Sequence, residues 1–102
     1  MVYLGNSFSI QMLAVFPANI RIEETTPEEI ATSGFESVIG HPDTAAVVAS
    51  ILGVDVAYNR AFIKVSKKDT LYVAQVMGGR LPEGTTVLPE GMDIKFLKVI
   101  ID

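Results

Sequence analysis

Four short clusters carry side chains able to act on a phosphodiester. They are Gly40-His41, Asn59-Arg60, Arg80 with Glu83, and Asn6, Ser7 and Ser9. His41 is the only histidine, and an imidazole is suited to give or take a proton near neutrality. Two arginines can clamp phosphate oxygens and offset charge that builds in the transition state. A glutamate can orient the imidazole or help deprotonate a 2′-hydroxyl, while the histidine protonates the leaving 5′ oxygen. Such a set would cleave RNA without a metal. A metal-dependent nuclease usually needs clustered carboxylates. Here the acids are scattered through Glu23-Glu24, Glu28-Glu29, Asp43, Asp69 and Glu83.

Each cluster also has a plainer reading. His41 could merely cap a core helix, and Asn6 and Ser9 could be turn and cap residues. Arg60 could cover apolar surface from a strand face. Arg80 and Glu83 could form an exposed ion pair of little weight. All four clusters fall at the ends of expected elements, where ligand sites of α/β sheets gather. Spacing alone does not say whether they share one end.

The element that must position His41 runs from Ser37 to Gly53. Pro42 suits the first turn of a helix and biases His41 toward extended backbone. Ala45 to Leu52 is apolar on nearly all sides, so the helix is expected to be buried, with Gly53 ending it. Free N–H groups and the positive dipole end make its start a candidate phosphate site.

The remaining elements follow from periodicity and punctuation. Val2 to Asn6 reads as a short buried strand, with Ser7 or Ser9 capping a helical turn through Gln11–Phe16. Asn19–Glu24 alternates as a half-exposed strand. Thr26-Pro27-Glu28-Glu29 starts a short helix, with Glu29 at the capping-box position. Phe35–Ile39 reads as a strand leading to His41. Asn59–Val65 and Thr70–Met77 read as a hairpin turning at Lys67-Lys68-Asp69. Gly78-Gly79 breaks the second strand, Arg80–Gly84 is a rigid loop, and Thr85–Met92 is irregular. Ile94–Ile101 is a final strand. Mixed strands and helices indicate the α/β class, a mixed sheet flanked by helices; a segregated α+β arrangement is the alternative.

The totals set bounds. The 102 residues fit a single domain, residues 1–102, and 49% of them are apolar. Absence of cysteine excludes disulfides, thiolate metal sites and cysteine nucleophiles, and fits a reducing compartment. With one histidine, no metal or other cofactor is expected. No run is long enough to cross a bilayer, and Met1–Asn6 lacks a basic signal start, so a cytoplasmic location is expected. The net charge of −4 argues against general attraction to duplex nucleic acid.

Taken in order, Asn6-Ser-Phe-Ser-Ile10, Ile39-Gly-His41 with Thr44, Asn59-Arg60 with Lys64, and Arg80-Leu-Pro-Glu-Gly84 resemble one family. It is the ring nucleases that viruses of archaea and bacteria use as type III anti-CRISPR proteins. The resemblance runs from about residue 2 to residue 101. It implies a compact α/β domain with a five-stranded mixed sheet, acting as a symmetric homodimer. It further implies a cyclic tetra-adenylate ligand lying across the two-fold axis. Metal-independent cleavage would release linear di-adenylates with 2′,3′-cyclic phosphate ends and switch off type III CRISPR signalling, in the host cytoplasm if the protein is viral. By position His41 takes the catalytic acid role, and Arg80 and Glu83 the phosphate-binding and assisting roles. Arg60 becomes a further ligand contact, Gly40 adjoins the acid, and Asn6, Ser9 and Gln11 line or cover the ring. The short run from Thr25 to Ile39, and Pro89 and Gly91 within Thr86–Asp93, depart from the relatives and could alter the cover over the ligand. A rival of another class is a non-catalytic protein that binds a nucleotide or nucleic acid.

Overall fold

A computed structural model describes residues 1–102. Five strands form one sheet: β1 (Val2–Gly5), β2 (Ile20–Glu24), β3 (Glu36–Ser37), β4 (Thr70–Met77) and β5 (Asp93–Ile101). Their spatial order is β2-β5-β4-β1-β3. β1 runs parallel to both neighbours, with Leu4 opposite Ser37 on one side and Tyr72 on the other. β4–β5 and β5–β2 are antiparallel, so the sheet is mixed. Two helices, α1 (Pro27–Ala31) and α2 (Pro42–Leu52), complete the α/β domain, with a short 3-10 turn at Ile10–Met12.

Both helices lie on one face of the sheet. Ile30 of α1 and Ala45, Val48 and Leu52 of α2 pack with Leu4, Ile39, Tyr72 and Ala74. The opposite face is covered by loops instead. Leu13 and Val65 meet Leu71, Val73, Val99 and Ile101 there. Backbone bonds from Val65 N–H to the Met12 carbonyl and from Ala14 N–H to the Val65 carbonyl hold the two covering segments together.

The hairpin expected from Asn59–Val65 and Thr70–Met77 does not form. Residues 59–64 lie in no strand, and Val65 makes only an isolated bridge to Leu13. Both edges of β4 are already taken, by β1 and by β5, so the alternating stretch has no strand to pair with. It lies over the sheet, with Ile63 packed against the second core and Phe62 left exposed. The hairpin partner of β4 is β5, across the connection at residues 78–92.

The expected start of α1 is half correct. Thr26 Oγ1 accepts the Glu29 N–H at 3.2 Å, as an N-cap should. The Glu29 carboxylate does not turn back to the cap. It accepts the Tyr72 hydroxyl at 2.8 Å and lies 3.3 Å from Lys98 Nζ. Burial pushes the Tyr72 phenol up to about 12 from an ordinary 10.0, and the Glu29 carboxylate adds to the shift. The Tyr72 hydrogen bond in turn lowers Glu29. A phenol raised in the folded state stabilises fully below its unfolded pKa and ceases to do so as pH rises through the folded one. The stability advantage of the wild type over Tyr72→Phe will therefore shrink between pH 10 and about 12. Urea midpoints across that range measure it, and a constant difference would contradict it.

Candidate functional site

β1, β3 and β4 run parallel, so their carboxyl ends lie at one end of the sheet. Open α/β sheets place ligands outside those ends. Each strand delivers one expected cluster there. β1 ends at Gly5 and hands on Asn6; β3 leads through Val38 and Ile39 to Gly40-His41; β4 ends at Met77 before Gly78-Gly79-Arg80. Gly78 and Gly79 have φ of 94° and 125°, a region that side chains avoid, and they turn the chain back over the end of β4.

His41 is the N-cap of α2, with φ −136° and ψ 119°. Its Nδ1 accepts the Thr44 N–H at 3.4 Å. An N–H can donate only to an unprotonated nitrogen, so the neutral ring carries its proton on Nε2. Pro42 occupies the first turn, and Gly53 closes the helix in the left-handed region with φ 72°. The helix start that was expected to hold a phosphate keeps one N–H without a partner, that of Asp43. Pro42 has no N–H, and those of Thr44 and Ala45 are bonded to the His41 ring and carbonyl. The positive group that an anion would meet here is therefore Arg80.

A cleft of about 650 Å³ gathers Asn6, His41, Arg80 and Glu83. Its wall also includes Thr44, which stands in the His41 segment, and Asp43, Gln75 and Gly79, which were not expected in the site. Asp43 Oδ1 accepts the Gly84 N–H at 3.2 Å and so ties the Arg80–Gly84 loop to the start of α2. No periodicity announces a bond between residues 41 positions apart. Gln75 did leave a trace, as the polar residue within the apolar run of β4. Arg80 and Glu83 do not pair with each other, and Arg80 has no ion-pair partner in the chain. The surface ion pair offered as the plainer reading is thus absent, and the guanidinium is free to meet a ligand.

Four expected site residues lie outside this cleft. Ser9 caps the 3-10 turn, accepting the Gln11 N–H at 3.3 Å. The Gln11 carbonyl accepts Lys64 Nζ at 2.8 Å. Arg60 is not on a strand. Asn59 holds its segment against the exit of β3, donating through Nδ2 to the Ser37 carbonyl at 3.0 Å and through its N–H to Ile39. Arg60 then lies over Gly40, where an added Cβ would come within 3.2 Å of its Cγ. A side chain at Gly40 would require Arg60 to shift by a few tenths of an ångström, and Arg60 packs over the residue before His41 without lining the cleft. No three His, Asp or Glu side chains come together in a metal-ligating cluster. No helix is long and apolar enough to cross a membrane.

A single α/β domain with a polar cleft at the carboxyl ends of three parallel strands is the class that fold and site define. The chain belongs to the STIV B116-like family, a viral protein family whose profile matches residues 2–97. Its structure is similar to B116 of Sulfolobus turreted icosahedral virus, with a TM-score of 0.80 and 27% sequence identity over 97% of each chain. No curated protein sequence matches it significantly.

Proposed function

We propose that the protein is a metal-independent phosphodiesterase that opens cyclic tetra-adenylate. The observation that carries this reading is the meeting of His41, Arg80 and Glu83 in one cleft, delivered from strands distant in sequence. A ribose 2′-hydroxyl attacks the adjacent phosphorus, and the bond from phosphorus to the 5′ oxygen breaks. Arg80 neutralises charge on the non-bridging oxygens. His41 acts in its protonated form, with Nδ1 released from the Thr44 N–H; it gives the 5′ oxygen a proton from Nε2 and becomes neutral, and Glu83 assists removal of the 2′ proton. The products are linear di-adenylates with 2′,3′-cyclic phosphate ends. Type III CRISPR signalling ends when the ring is gone.

A cleft of this volume falls within the range, roughly 300–1,000 Å³, that suits one drug-sized ligand. A ring of four nucleotides exceeds it. Two chains facing each other across a two-fold axis would each take one scissile phosphate, and Ser9, Gln11 and Arg60 would hold the ring beyond the cleft itself. The protein is then a homodimer when it binds its ligand.

The test is incubation with cyclic tetra-adenylate in excess EDTA, followed by separation of the products. Linear di-adenylate supports the reading; an intact ring contradicts it. Arg80→Ala will lower both affinity and rate, because its charge meets phosphate before and during the reaction. Unchanged kinetics would remove Arg80 from the site. One observation favours a second reading, a nucleotide binder without catalysis: the His41 ring is already engaged as a helix cap. That reading predicts tight binding with the ring left intact.

A further inference from the structure

The two edges of the sheet are finished differently. At the β3 edge, Ser37 Oγ donates to the Ala57 carbonyl at 2.6 Å and Asn59 Nδ2 donates to the Ser37 carbonyl, so residues 57–59 cover it. At the other edge, all five residues of β2 are exposed and nothing covers them. β2 has no proline and no bulge, two of the usual means of blunting an edge. Ile22 is 52% exposed there.

The free backbone groups of this edge can be assigned. The Thr25 N–H donates to the Phe96 carbonyl, and the Asp102 N–H to the Asn19 carbonyl. Odd-numbered residues of β2 therefore bond to β5, and Ile20, Ile22 and Glu24 direct N–H and C=O outward. We propose that this edge pairs antiparallel with β2 of a second copy of the chain, centred on Ile22.

Charge selects that register. With Ile22 opposite the second copy's Ile22, Ile20 faces Glu24 and all outward backbone groups meet partners. Arg21 then faces Glu23 twice, at the non-hydrogen-bonded positions where side chains approach most closely. Centring on Arg21 would oppose two arginines, and centring on Glu23 two glutamates. Arg21 and Glu23 already lie on one face, 3.7 Å apart. Pairing turns them into a ring of four alternating charges. The contact is short and belongs to the weak, transient class of interfaces. It lies on the strand farthest from β3 in the sheet order, away from the His41 cleft, and does not depend on the nucleotide reading.

The test is the mass of the full chain, without nucleotide, by sedimentation across a range of concentrations. The proteins are wild type, Ile22→Pro, Arg21→Glu, and the double exchange Arg21→Glu with Glu23→Arg. Ile22→Pro removes an outward N–H that no intrachain bond uses, a position where an edge strand tolerates proline. The charge variants alter exposed side chains only, and circular dichroism confirms that each protein is folded. At high concentration both single variants are expected at half the wild-type mass, and the double exchange at the full mass. Added salt will weaken the wild-type assembly. Equal masses for all four proteins overturn the proposal, as does a double exchange that stays at the lower mass.

Discussion

His41→Ala will slow opening of the cyclic tetra-adenylate ring by roughly 10²–10⁴-fold and leave ring affinity nearly unchanged, if His41 is the acid of the proposed reaction. An acid that acts only as the 5′ oxygen departs contributes to the transition state and little to the bound ground state. The same substitution also removes the N-cap of α2, which costs about 1 kcal/mol. His41→Asn separates the two effects, since asparagine caps a helix well and cannot serve as the acid. Both variants should lose the rate, and only His41→Ala should lose stability. Product separation in EDTA and calorimetric titration of the ring provide the two readouts. Equal loss of binding and rate in His41→Ala, with both recovered in His41→Asn, would make His41 a structural cap.

Leu4→Ala should destabilise the domain by about 2–5 kcal/mol. Leu4 is fully buried in the interior strand β1 and packs in the core with Ile30, Ile39, Ala45, Val48 and Tyr72. Its strand is paired on both sides, so the cavity can collapse only by moving β3 or β4. A small domain has about 5–15 kcal/mol in total, so this one change removes a large share. The melting temperature should fall by roughly 10–30 °C. Calorimetry measures it, and a shift of only a few degrees would mean that the layer under α2 repacks freely.

The helix that carries His41 was legible in the chain because its signals are local. His41, Pro42 and Gly53 take the cap and stop positions expected of them. So was β4, whose apolar run is buried from Leu71 to Ala74. The hairpin reading of Asn59–Val65 failed for a non-local reason. Alternation shows that a segment can be a strand, and the occupied edges of β4 decide that this one is not. Convergence of the site was hidden in the same way. It depends on Leu4 lying opposite both Ser37 and Tyr72, a pairing with no trace in the spacing of Asn6, His41 and Arg80. Arg60 shows the limit of treating Asn59-Arg60 as one cluster. Asn59 is spent on the backbone of Ser37 and Ile39, which leaves Arg60 over Gly40 and beside the cleft.

The parallel placement of β1 also governs the order in which the molecule can be made. β1 is the first strand in the chain, yet its partners are Glu36–Ser37 and Thr70–Val73. β4 in turn needs β5, at Asp93–Ile101, to complete its other edge. During synthesis β1 therefore leaves the ribosome long before either neighbour exists, and its apolar residues must wait unpaired. Contacts so distant in sequence fold slowly, because loops must close before any pairing rewards them. The cleft is assembled at that same late moment, because Asn6, His41 and Arg80 meet only once β1 has both β3 and β4 beside it.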